Sequence, residues 1–154
     1  MPLQQNSAAV AAARAHVEAW GKRDYETARE ALANDVWVTV IAADPNFPKT
    51  DLNGVEAYMQ GLIQFADGVV RGSTEVVEAL GDDRQALLRV NARVKFGPDA
   101  PEMDAPGARM YVFDEDGRIK IEHVIFFLSY CWPESGGAGY AARLRRSRGR
   151  PHDS

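Results

Sequence analysis

From Ser73 onward the chain reads as strand and turn only, while everything with a helical period lies before it. STEVVEAL (73–80) stops at GDD, QALLRVNARVKF (85–96) stops at GPDAPEMDAPG, and ARMYVF (108–113) turns through DEDG into RIKIEHVIFFLSY (118–130). Each run is rich in β-branched or apolar residues and bounded by Gly, Pro or Asp clusters, the pattern of successive strands. Upstream, Ser7 or Asn6 can cap a helix running to about Trp20, with Val10, Val17 and Trp20 on one stripe. Asp24 caps a second helix, YETAREALA, whose Ala28, Ala31 and Leu32 face inward. VWVTVIAA (36–43) is a β-branched strand, and DPNFPKTDLNG is a loop punctuated by two prolines and Gly54. Residues 55–66, VEAYMQGLIQFA, align Tyr58, Leu62 and Phe65 at helical spacing, with Gly61 as the weak point. The order α-α-β-α-β-β-β-β keeps helices apart from a mostly antiparallel sheet. That is an α+β layer fold with three helices laid over one face of a curved sheet.

At 154 residues the chain is expected to form one domain over 1–130, followed by a basic, disordered tail over 131–154. Net charge is −4, but residues 140–154 hold five Arg and one Asp, leaving 13 Lys/Arg against 21 Asp/Glu elsewhere. An acidic body argues against nucleic acid as a main partner. The single cysteine, Cys131, rules out an internal disulfide and fits a reducing cytoplasm. No secretory signal pattern opens the chain and no segment reaches transmembrane length, so no membrane partner is expected. The three His are scattered at 16, 123 and 152, without HxxxH or CxxC, and neither a phosphate loop nor a nucleophile elbow is present. Neither metal nor cofactor is therefore expected.

The hairpin VFDEDGRIKIEHVIFF holds two polar residues in an apolar run, Glu122 and His123. Adjacent strand residues point to opposite faces, so only one of them can face a given cavity. A four-residue DEDG loop puts Arg109 opposite Glu122; a two-residue DG turn puts them on a diagonal. In both registers Arg109, Tyr111, Glu122, Val124 and Phe126 share a face, and Met110, Val112, Ile121, His123 and Ile125 share the other. An odd-length loop would break this parity. Glu122 in an apolar environment must be paired or protonated, and Arg109 is its natural partner. The pair reads either as a structural cross-strand bridge or as an anchor for a substrate oxygen, with Glu122 or His16 moving a proton.

The element order, together with ALANDVWVTV and VFDEDGRI, resembles the nuclear transport factor two-like superfamily, which includes ketosteroid isomerases, limonene epoxide hydrolases and SnoaL-like polyketide cyclases. The resemblance spans about residues 8–128. It implies a cone whose helices and concave sheet enclose an apolar pocket, dimerised through the convex face, with Arg109, Glu122, Val124 and Phe126 on the pocket side and His123 toward a partner subunit. Periodicity alone would instead make the more apolar, His123-bearing face the core. Position by position, the isomerase's Asp base falls at Val40, its oxyanion Tyr at His16, its oxyanion Asp at Arg109, and a supporting Tyr at Tyr58. The hydrolase's Arg-x-Asp falls at Arg89 and Asn91, and its last acid, shared with the cyclases, at Val124. Asp44 begins the loop near the implied cavity mouth and could stand in for a missing acid; Trp20, Phe65, Tyr111 and Phe126 could line the pocket. The expected function is a cofactor-independent SnoaL-like enzyme acting on an apolar polyketide- or terpenoid-like molecule by cyclisation, isomerisation or dehydration. Its rivals are a non-catalytic small-molecule-binding or association module, and an epoxide-opening enzyme with relocated acids.

Overall fold

The structure is a computed structural model that describes residues 4–42, 49–95 and 97–127. Helix α1 (Ala8–Gly21) starts at Ser7, whose hydroxyl accepts from the Val10 amide at 3.2 Å. That satisfies one of the amides the first turn leaves without an intrahelical partner. Its inward face carries Val10, Ala13, His16, Val17 and Trp20. Helix α2 (Tyr25–Glu30) is capped by Asp24, as its sequence suggests, but stops a turn early. The Ala31 carbonyl accepts from the Ile119 amide at 2.8 Å, and Leu32 pairs with Ile119, so long-range strand pairing takes Leu32 out of the helix. Strand β1 therefore spans Leu32–Ala42, and within the segment read as a loop a short β2 (Thr50–Asn53) pairs back on it. Helix α3 (Val55–Gly68) follows Gly54, whose φ of +88° is a backbone conformation that glycine adopts without strain.

The remaining elements are β3 (Glu75–Gly81), β4 (Gln85–Asn91), the short β5 (Arg93–Val94) and β6 (Met103–Asp104), β7 (Gly107–Phe113) and β8 (Ile119–Phe126). The six-stranded sheet runs β2-β1-β8-β7-β4-β3, antiparallel throughout except that β1 and β8 are parallel. The last strand of the sheet thus lies beside the first. This seats Glu122 between Val38 of β1 and Tyr111 of β7.

The hairpin loop is odd after all: Phe113 pairs with Ile119, leaving Asp114–Arg118 as the turn. Asp114 Oδ1 accepts from the amides of Asp116 and Arg118, both at 2.9 Å, and Gly117 takes φ +76°. Lys120 is then bulged out between the Phe113–Ile119 and Val112–Ile121 pairs, and that one extra residue restores the parity the loop would have broken. From Val112 inward the pairing matches the diagonal register, with Tyr111 opposite Glu122 and Arg109 opposite Val124. Burial follows the alternation: Arg109, Tyr111, Glu122 and Val124 are buried under the helices, while Met110 and Ile125 are exposed. Trp20, Tyr111, Leu88 and Ile119 are the largest of the fully buried apolar side chains. At about 2–3 kcal/mol each, side chains of this kind supply much of the drive for closing the helices onto the sheet.

Candidate active site

Between α3, β1, β2 and the concave side of β7 and β8 lies a cavity of about 270 Å³. Its walls are mostly apolar, built from Val38 and Val40 of β1, Leu62 and Phe65 of α3, and Val124 and Phe126 of β8, with Thr50 and Gln64 among them. One end is polar, and there Tyr58, Arg109 and Glu122 come together. Arg109 Nη1 donates to Glu122 Oε1 at 2.8 Å, and the Tyr58 hydroxyl donates to the other oxygen, Oε2. His16 Nε2 stands 2.9 Å from Tyr58 Oη. Four residues from α1, α3, β7 and β8 thus form one chain, His16–Tyr58–Glu122–Arg109. Its members lie up to 106 positions apart (16 to 122), so sequence periodicity carries no trace of the contact.

The chain is buried throughout: Glu122 is 1% exposed, His16 2%, Tyr58 3% and Arg109 5%. The Arg109 Cζ lies 4.8 Å from the Trp20 ring centroid, 5.6 Å from Phe65 and 5.9 Å from Phe126, so three aromatic faces replace part of the water the cation has lost. Burial opposes the Arg109 charge, but Tyr111, Glu122 and Tyr58 outweigh it and hold its pKa above the ordinary value. Burial, reinforced by the Glu122 charge, pushes both Tyr58 and Tyr111 well above the usual phenol range, which keeps them protonated donors. Burial lowers His16 from 6.5 to about 4; Glu122 pulls it upward, Arg109 pushes it down, and the Ala28 carbonyl raises it slightly. The imidazole is therefore neutral at pH 7.

Several expected site residues stand elsewhere. His16 and Trp20 are behind the cavity wall: His16 reaches it only through Tyr58, and Trp20 stacks on Arg109. Tyr111 is fully buried opposite Glu122 and touches the network rather than the cavity; its hydroxyl has no hydrogen-bond partner among the described residues. Arg89 and Asn91 require a correction. On β4 the inward residues are Ala86, Leu88 and Val90, because Leu88 pairs with Arg109; Arg89 and Asn91 point to the opposite, exposed face. There Arg89 bridges Glu78 at 3.2 Å. Val40, Tyr58, Phe65, Val124 and Phe126 do line the cavity, and Asp44 and the 131–154 tail lie outside the described residues. Thr50, Gly61 and Gln64, which also line it, were not singled out from the sequence. Gly61 carried a signal, since a glycine inside an otherwise good helix calls for a packing reason. A Cβ there would lie 2.8 Å from Leu52 Cδ1.

A family model described as a SnoaL-like domain matches residues 13–121. The chain belongs to the SnoaL-like domain family. Its relationship to the nuclear transport factor two-like fold is equally plain in solved structures. A protein from Kribbella flavida DSM 17836 is 25% identical over 94% of this chain and all of its own, with a TM-score of 0.68. RV0760c from Mycobacterium tuberculosis, solved with estradiol-17beta-hemisuccinate, is 16% identical over 85% of this chain and 98% of its own, at 0.64. A computationally designed 17-OHP binder is 17% identical over 82% of this chain and 96% of its own, at 0.66. No curated protein matches the chain. Among the described residues no group of three His, Cys, Asp or Glu converges as metal ligands would. No helix among them is long and apolar enough to cross a membrane.

Proposed function

We propose that this SnoaL-like protein is a cofactor-independent acid/base enzyme acting on an apolar, polycyclic molecule of polyketide or terpenoid type, by isomerisation, cyclisation or dehydration. The observation that carries it is the convergence of Tyr58, Arg109 and Glu122 on one another in a mostly apolar cavity. Apolar walls select and desolvate the ligand, and a few convergent polar groups orient it and act on it. Arg109 is the group to hold a carbonyl oxygen as it gains negative charge, and Glu122 is the group to take a proton from the neighbouring carbon. RV0760c is solved in complex with estradiol-17beta-hemisuccinate, and a designed protein of this fold is a 17-OHP binder, which supports a small-molecule ligand for the cavity here.

The second reading is a small-molecule-binding module. Two observations favour it: Val40 and Val124 present no acid to the cavity, and both Glu122 oxygens already have partners. A panel of polycyclic ketones assayed for binding and turnover separates the two. Under the enzymatic reading, Arg109→Lys, Glu122→Gln and His16→Leu each lower turnover at least tenfold, about 1.4 kcal/mol of barrier, while Arg89→Ala does not. Full activity in the first three variants, or binding without turnover in the unsubstituted protein, defeats it.

The same reading includes a homodimer formed through the convex face. Ile41, Leu87, Met110 and Ile125 stand there 43, 50, 38 and 40% exposed, and paired strand positions join them into one apolar band. His123 sits in this band, its Nδ1 2.7 Å from Thr39 Oγ1 and its ring 5.4 Å from Trp37.

A further inference from the structure

The Tyr58 hydroxyl has one hydrogen and two neighbours, His16 Nε2 and Glu122 Oε2. Which neighbour receives that hydrogen decides what the polar end of the cavity can offer a ligand. The ion pair with Arg109 makes Glu122 a carboxylate, and a carboxylate can only accept. Tyr58 must therefore donate to Glu122 and accept from His16, which requires the hydrogen of the imidazole to be on Nε2. The other ring nitrogen, Nδ1, is buried without a hydrogen-bond partner among the described residues, and the Ala28 carbonyl bears on the ring without completing a hydrogen bond to it, so the assignment rests on the Tyr58–Glu122 side of the network.

We propose that His16 is a positioning residue: its Nε2–H donates to Tyr58 and commits the Tyr58 hydroxyl to Glu122, so that Arg109 is the one donor the polar end presents to a ligand oxygen until Glu122 takes up a proton. The second half of this statement rests on the enzymatic reading and has a defined proton balance. When Glu122 removes a proton from a carbon next to the ligand carbonyl, the C–H bond breaks and its electron pair moves onto the carbonyl oxygen. The proton arrives on Glu122 Oε2. The new Glu122 O–H donates to Tyr58 Oη, and Tyr58, still held by His16, is free to turn its own hydrogen toward the oxygen that has just become negative. Abstraction thus supplies a second donor at the step that creates the charge, and returning the proton to the ligand withdraws it. No group outside the chain and the ligand is consumed.

The test is the protonation pattern of the network in ligand-free protein, read by ¹⁵N and ¹H NMR on uniformly labelled samples. At pH 7 the His16 ring should show a protonated Nε2 and a bare Nδ1. A far-downfield hydroxyl proton from the charge-assisted Tyr58–Glu122 bond should be present, and should vanish in both Tyr58→Phe and Glu122→Gln. In Tyr58→Phe the ring should shift toward the Nδ1–H tautomer. His16→Gln, whose amide can still donate to Tyr58, should keep the downfield proton, whereas His16→Leu should lose or broaden it in a protein that stays folded. A ring carrying its hydrogen on Nδ1 at pH 7, a doubly protonated ring, or a downfield proton that survives Tyr58→Phe overturns the proposal. Neither readout needs a substrate, so a protein without turnover can still show the Nε2–H tautomer, and an active one can still lack it.

Discussion

Burying His16 in a neutral state ties the stability of the fold to pH, and the size of the effect follows from its surroundings. Its pKa falls from 6.5 to about 4, with burial as the main cause. Between those values the unfolded chain binds a proton that the folded chain refuses, so stability must rise with pH across the window and fall as the solution is acidified. The contribution is fully present above pH 6.5 and is lost as the pH drops toward 4. One unit is worth about 1.4 kcal/mol, so about 2 kcal/mol disappears between pH 7 and pH 5, and about 3 kcal/mol over the whole window. Against a typical total of roughly 5–15 kcal/mol, that is a large share. Carboxylates also titrate below pH 5, among them Asp24 and Asp82, both lowered by local hydrogen bonds. The perturbation that isolates the histidine is therefore His16→Gln, which keeps an amide donor near Tyr58 and removes the titration. Urea unfolding of both proteins at a series of pH values gives two stability curves. Their difference should change by about 2 kcal/mol between pH 7 and pH 5, with the unsubstituted protein losing more. Curves that stay parallel to within about 0.5 kcal/mol would mean His16 titrates normally in the folded state, and the buried, neutral relay would be refuted.

Arg109→Met strands the Glu122 carboxylate in a dry site and should cost about 3–5 kcal/mol in urea unfolding, whereas Arg109→Met combined with Glu122→Gln should recover at least half of that loss. Gly61→Ala gains up to about 1 kcal/mol of helix propensity against a displacement of the flexible Leu52 tip, so the melting temperature should move little while affinity for polycyclic probes falls, as titration would show. Met110→Glu puts a charge in the apolar band through which we propose the chain dimerises, and sedimentation should report less dimer than for the unsubstituted protein; an unchanged dimer would place the interface elsewhere. Glu78→Ala, which breaks an exposed pair with Arg89, should change stability by less than about 1 kcal/mol and leave probe binding intact.

The hairpin shows how far strand alternation carries from sequence alone. Period two put Arg109 and Glu122 on one face in either even-loop register, and the face held although the loop was odd, because the bulge at Lys120 supplied the missing residue. Nothing in the local sequence announces that bulge. The same alternation, applied to β4 alone, would have turned Arg89 and Asn91 away from Leu88 and Val90, but which set faces inward was fixed only by pairing with β7. Leu32 makes the matching point for helices: its propensity and spacing suit α2, and pairing with Ile119, 87 positions on, puts it in a strand.

The sequence by itself determined the segregation of helices from strands, the cap at Asp24, a cap at Ser7 or Asn6, and, for an even loop, the shared face of Arg109 and Glu122, because all of these depend on neighbours a few residues apart. It also supplied Tyr58 and His16 as candidates, but as separate ones. Only the tertiary structure joined them. The parallel pairing of β1 with β8 carries Glu122 to the centre of the sheet, and α3 lowers Tyr58 onto it with His16 behind. A carboxylate there must be paired and hydrogen-bonded to survive burial: Arg109 comes from the neighbouring strand of the hairpin, but Tyr58 comes from a helix 64 positions away.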